Sequence, residues 1–172
     1  MTAERDVVIE KLIANEWPKL RRFFGTKVPD SEVLDLVQNT MLAYVEGDAR
    51  RRAEPRSYLW GIARLQVLKY YEKHRRPTQP FDSTLHTAMD LGPSLSSTFE
   101  KRGRLVAALR ALPTDQQVAI ELRHGEGLKL EEVAAALDVS LATAKRYLAA
   151  AEEKLRAELG DLRALAAEYV EL

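Results

Sequence analysis

Between Leu130 and Arg156 the chain reads LEEVAAALDVSLATAKRYLAAAEEKLR, and Thr143, Lys145 and Arg146 fall together on the polar side of its second half. A hydroxyl and two cations at that spacing suit a polyanion, because they can hydrogen-bond phosphates and base edges in a DNA groove. A second group able to do such chemistry is a basic run. From Arg50 to Arg76 there are nine Lys or Arg (Arg50, Arg51, Arg52, Arg56, Arg64, Lys69, Lys73, Arg75, Arg76) against two acids, Glu54 and Glu72. Within it, PRSYLWGIARLQVLKYYEKHRRP begins apolar and aromatic and ends basic, with Arg64, Tyr71 and Arg75 on one side. Such a segment can bury its first half, Leu59 and Trp60 included, and hold phosphates with its second, releasing counterions. Aromatics beside the cations can stack on bases freed from a duplex. The whole chain carries 26 basic and 26 acidic residues, so the charges are segregated and not in excess, and acids outnumber bases from Glu152 onward.

The elements that position these residues read as helices. Glu131 to Leu137 forms a short first helix, and the small residues Ala134, Ala135 and Ala136 allow another helix to approach closely. Asp138, Val139 and Ser140 make a turn, with Ser140 as N-cap of the next helix. In that helix Leu141, Ala144, Leu148, Ala151 and Leu155 form the dry stripe, while Ala142, Thr143, Lys145, Arg146 and Ala149 point away. This is the form of a helix-turn-helix, with an ordinary helical hairpin as the bland alternative.

Upstream, the periodicity predicts helices over about Thr2 to Phe24, with an interruption near Pro18, over Asp30 to Glu46 and over Pro55 to His74. The stretch PTQPFDSTLHTAMDLGPSLSS, residues 77–97, is rich in Pro, Ser and Thr and reads as a linker. A capping box at Ser97 and Glu100 predicts a helix to about Leu112, and Thr114 with Gln117 predicts another that stops at Gly125 and Gly127. The segment Asp161 to Leu172 reads as a last helix that caps the domain. The expected fold is all-α: two small helical domains joined by a flexible linker, the C-terminal one containing a helix-turn-helix.

Cysteine is absent and His74, His86 and His124 show no ligand spacing, so no metal and no cofactor is expected. The start MTAERDVVIEKLIANEW lacks the apolar core of a signal peptide, and no run is long enough to span a bilayer. The expectation is a cytoplasmic protein without a membrane partner. No nucleophile with its base, metal cluster or phosphate loop is visible, which argues against an enzyme.

The order of motifs resembles the sigma-70 family of bacterial transcription initiation factors, in its small two-domain extracytoplasmic-function group. Asp35-Leu36-Val37-Gln38-Asn39-Thr40 looks like the DLVQ helix of that family. PRSYLWGIARLQVLKYYEKHRR looks like its minus-ten segment, and LVAALRALPTDQQVAIELRHGEGLKLEEVAAALDVSLATAKRYL like its minus-thirty-five domain. The resemblance covers about Asn15 to Leu159 and implies domains at residues 1–76 and 98–172 around the linker. It implies that the largest-subunit clamp of core RNA polymerase meets Asp35, Leu36 and Gln38 and that the polymerase flap is a further partner; Leu34, Val37 and Met41 of the same helix read as core. Residues between Glu46 and Arg56 would capture a flipped base. Arg56, Arg64, Lys69, Lys73 and His74 would hold minus-ten DNA, and Ser140, Thr143, Lys145 and Arg146 the minus-thirty-five duplex. The linker would thread toward the polymerase active centre, and an anti-sigma factor is a further partner the resemblance allows. Two other readings stay open: a helix-turn-helix regulator acting without polymerase, and a sigma-like adaptor that binds only protein. The chain departs from the family pattern at Tyr147, Ala150 and Glu152, where relatives usually carry arginines, at Asp138 in place of a turn glycine, at Leu65 in place of an Asn, and before Asp35, where the run is less acidic.

Overall fold

The structure, a computed structural model, describes residues 2–47, 55–74 and 93–172. Among the described residues every regular element is helical. The chain divides into two compact units, Met1–Arg75 and Arg76–Leu172.

In the first unit α1 (Thr2–Gly25), α2 (Asp30–Glu46) and α3 (Pro55–Lys73) pack with α2 against both of the others. Helix α1 runs through Pro18 without the interruption expected there. Pro18 and Ala14 both lie on the exposed side, so the Ala14 carbonyl that Pro18 cannot bond is not shut away in the core. The core is built from Leu20, Phe23 and Phe24 of α1, Leu36, Val37 and Met41 of α2, and Leu59, Trp60, Ala63 and Val67 of α3. Trp60 is fully buried, as expected, with its ring at 5.2 Å from that of Phe23 in an edge-on arrangement. Its indole N–H donates to Glu16 Oε2 at 3.1 Å. Glu16 is itself only 4% exposed, and its other oxygen receives Lys19 Nζ at 2.8 Å and faces Arg56 Nε at 3.5 Å. A carboxylate withdrawn this far from water is tolerable only because donors surround it.

The turn after α1 is closed by Lys27, which is wholly buried. Its ammonium donates to the Phe23 carbonyl and to Thr26 Oγ1, each at 3.0 Å, and lies 3.6 Å from the centre of the Phe23 ring. A cation here satisfies a carbonyl that the helix end leaves over and meets the negative end of the helix dipole. Tyr71 of α3 donates to the Lys27 carbonyl at 3.3 Å, which ties the end of α3 to this turn. At the end of α2, Gly47 leaves room for Tyr58: a Cβ there would collide with the Tyr58 hydroxyl. The Tyr58 ring in turn packs on Tyr44, 5.7 Å between centres.

The second unit contains α4 (Pro93–Arg110), α5 (Thr114–Ile120), a π turn (Glu121–Gly125), α6 (Leu130–Leu137), α7 (Leu141–Leu159) and α8 (Arg163–Val170). Two predicted caps are corrected. Helix α4 starts at Pro93, a residue suited to a first helical position, so Pro93 to Ser97 form its opening turns and Ser97 is not its cap. Residues 77–92 of the expected linker lie outside the described residues. Pro113 occupies the cap position of α5 without a side-chain bond, and Gln117 donates instead to Glu121 Oε1 at 3.3 Å inside the core. Helix α5 does run on to Gly125, through a π turn whose Glu121 carbonyl accepts from Glu126 N at 2.9 Å.

The helix-turn-helix is present as α6 and α7. Asp138 takes the left-handed conformation, φ 54° and ψ 47°, and closes α6 with Asp138 N and Val139 N donating to the carbonyls of Ala135 and Ala134 at 3.1 and 3.0 Å. Asp reaches that conformation at a modest cost that a β-branched residue cannot match. Asp138→Gly is therefore expected to unfold within about 0.5 kcal/mol of the parent, and Asp138→Val to lose about 1–2 kcal/mol, both read from urea denaturation midpoints. Ser140 caps α7 as predicted, its Oγ accepting from Thr143 N at 3.1 Å. Ala144, Leu148, Ala151 and Leu155 form the buried stripe. Leu141 does not join it; at 40% exposed it sits in the first turn, before α7 reaches the core.

Helix α8 is part of the packed unit. Tyr169 is 2% exposed and lies against Gly125, where any Cβ would overlap the ring. Arg102 of α4 donates to the Leu172 carbonyl at 2.6 Å.

Candidate nucleic-acid interfaces

On α7 the predicted residues are brought together. Lys145 and Arg146 are exposed in the first turns and Thr143 is half-exposed beside them. The first turn carries no acid, so the positive end of the helix dipole faces outward undiminished. Ser140 has a different part from a direct contact. Its hydroxyl accepts from Thr143 N and donates to Thr143 Oγ1 at 3.0 Å, which leaves the Thr143 proton to reach a phosphate or base acceptor. Ser140 thus sets the entry of α7 while Thr143, Lys145 and Arg146 form the surface. Farther along, Glu152 receives His124 Nε2 at 2.9 Å, a bond between α7 and the π turn that sequence spacing did not reveal.

On α3 the predicted set is divided. Lys69, Lys73 and His74 are exposed at its C-terminal end. The His74 ring stacks on Tyr70 at 4.4 Å, and its Nδ1 meets the Tyr70 carbonyl at 3.2 Å, so that carbonyl fixes the proton on Nδ1. Burial first, and the Glu32 carboxylate second, push the Tyr70 phenol above its usual value and keep it protonated. Arg64 stands about 140° around the helix from Lys69, counting 100° per residue, and is half-buried. Arg56, expected on the DNA surface, is directed to Glu16, because a buried carboxylate beside Trp60 needs a cation more than the surface does. Lys69, Lys73 and His74 are the part of the set that shares an exposed end. Residues 48–54, with Arg50, Arg51 and Arg52, and residue Arg75 lie outside the described residues.

On α2 Asp35 and Gln38 face outward. Leu36 does not: at 8% exposed it points into the unit, since the i, i+1 step that puts Asp35 outside turns its neighbour inward. Val37 and Met41 are buried as expected, whereas Leu34 is 48% exposed. With Leu42 and Val45, at 56% and 44%, it makes an apolar stripe flanking Asp35 and Gln38. The hint was in the sequence: α2 carries more apolar residues than one buried face can use.

Residues 102–155 match the family described as "Sigma-70, region 4". That span holds the second half of α4, α5, the π turn, α6 and α7 as far as Leu155. The RNA polymerase sigma factor CarQ of Myxococcus xanthus is 28% identical to the chain over 162 residues, covering 89% of the chain and 90% of the relative. The RNA polymerase sigma factor HrpL of Pseudomonas syringae pv. syringae is 23% identical over 159 residues, covering 88% and 86%. Both alignments are too long to fit within either unit alone. The chain is thus similar over most of its length to RNA polymerase sigma factors, and its second unit carries the sigma-70 region 4 match. Within the matched span the second helix of the helix-turn-helix is α7, and the left-handed turn before it is made by Asp138. Among the described residues, no helix is long and apolar enough to cross a membrane.

Proposed function

We infer that the protein directs core RNA polymerase to promoters and starts transcription there as a dissociable specificity subunit, with no bond-making chemistry of its own. The observation that carries this reading is the region 4 match falling on a helix-turn-helix whose Lys145 and Arg146 are exposed. Unit by unit, the assignment follows the resemblance: residues 1–76 for the polymerase and the minus-ten element, 77–97 as connector, 98–172 for the minus-thirty-five element. Asp35 and Gln38, with Leu34, Leu42 and Val45 around them, offer a mixed polar and apolar surface suited to the polymerase clamp. Lys69, Lys73 and His74 hold minus-ten phosphates, and Thr143, Lys145 and Arg146 read or position the upstream duplex. A flap contact by the second unit and an anti-sigma partner belong to the same reading, as does a cytoplasmic site of action. Tethering makes two weak contacts act as one strong one, so the distance between promoter elements becomes part of what is selected.

The test is transcription in vitro from a promoter library by purified bacterial core polymerase, with and without the protein. New start sites sharing two spaced elements are expected on its addition. Start sites unchanged by its addition would remove the reading.

A further inference from the structure

Helix α8, Arg163–Val170, lies outside the stretch that matches region 4, residues 102–155, yet it packs into that domain against α4 and the π turn. Its anchor is Tyr169, buried to 2% exposure with the ring seated where a side chain at Gly125 would be. The π turn it presses on is tied forward in two ways. Arg123 Nη1 donates to the Leu128 carbonyl at 2.8 Å and Leu128 N to the Leu122 carbonyl at 2.9 Å, which fixes the loop into α6. His124 Nε2 meets Glu152 Oε1 of α7 at 2.9 Å, and because a carboxylate only accepts, the imidazole nitrogen is the donor. Glu152 stands seven residues beyond Lys145, two turns along the same side of α7.

We propose that Tyr169 is a positioning residue for the DNA-reading helix, acting through the π turn and the His124–Glu152 bond. A π turn holds one residue more than an α-helical path between the same ends, and it persists only where its surroundings select it. With the Tyr169 ring removed, the turn can relax toward α geometry. Residues beyond it then rotate by about 100°, one α-helical step, and His124 leaves Glu152. The angular setting of Lys145 and Arg146 loses its brace while the α7 stripe of Ala144, Leu148, Ala151 and Leu155 stays buried.

The inference rests on the reading of α7 as a promoter contact, and its test separates the two. Transcription by holoenzyme is measured on a responsive library promoter and on the same promoter with its upstream element scrambled, and the ratio is taken. Tyr169→Ala and His124→Ala are each expected to lower that ratio about fivefold, the scale of one partly exposed polar bond. The double variant is expected to fall no further than the worse single one, and Tyr169→Phe to retain the parent ratio. Additive losses, or a His124→Ala protein equal to the parent, would overturn the proposal. His124 is exposed, so that variant decides even where Tyr169→Ala fails to fold. In the free protein, amide exchange at residues 143–146 is expected to quicken in both single variants. Unchanged exchange would also overturn it, and this measurement stands even with a parent that directs no transcription.

Discussion

Trp60→Ala is expected to destabilise the first unit by about 3–5 kcal/mol, the range for emptying a large aromatic site in a packed core. Trp60 has no exposed surface, and its loss opens a cavity beside Phe23, whose ring meets it edge-on at 5.2 Å. The same change removes the N–H that Glu16 accepts at 3.1 Å, leaving a carboxylate of 4% exposure with fewer donors. A loss of this size is a large share of the stability of a small domain, so the first unit should melt well below the second in a calorimetric scan. Trp60→Phe, which keeps the ring contact but not the donor, should cost about 1–3 kcal/mol. A Trp60→Ala protein with an unchanged melting profile would show that the residue is not the keystone between α1 and α3.

Lys145→Ala combined with Arg146→Ala is expected to lower promoter use about 10- to 100-fold, from two contacts worth about 1 kcal/mol or more each. Both side chains are exposed on α7 and neither belongs to the buried stripe, so the fold should persist. The salt dependence of promoter binding should flatten as two phosphate partners are lost, by about one unit of slope each. Binding to core polymerase, measured by co-purification or fluorescence anisotropy, should stay at the parent level. Loss of core binding in this variant would contradict the division of roles between the two units.

The helix-turn-helix was legible because its determinants are local. An Asp at the turn, a Ser at the cap and a three-and-four spacing of small and apolar residues act over a few positions, and each does in the structure what its chemistry suggests. The same holds for the extent of α2 and α3. Misreadings arose where a distant partner decided the matter. Thr114 and Gln117 have the spacing of a capping box, but Glu121 inside the core takes the Gln117 amide. Arg56 belongs by sequence to a basic run, but Glu16, forty residues earlier, binds it. Leu34 and Leu141 are apolar at helical spacing, yet they stay 48% and 40% exposed. Periodicity says which residues share a side and not which side finds a partner. The π turn and the seat of Tyr169 on Gly125 leave almost no local mark, since α8 meets that turn from forty residues farther along the chain.

Gly47 and Tyr58 occupy what is in effect one shared volume, since the Tyr58 hydroxyl fills the space a Cβ at position 47 would claim. Lineages descending from this sequence therefore face an ordering rule. Enlargement at 47 is expected to be tolerated more readily once 58 has been trimmed, since otherwise the Tyr58 ring must shift to make room. The order in which the two positions change is expected to matter.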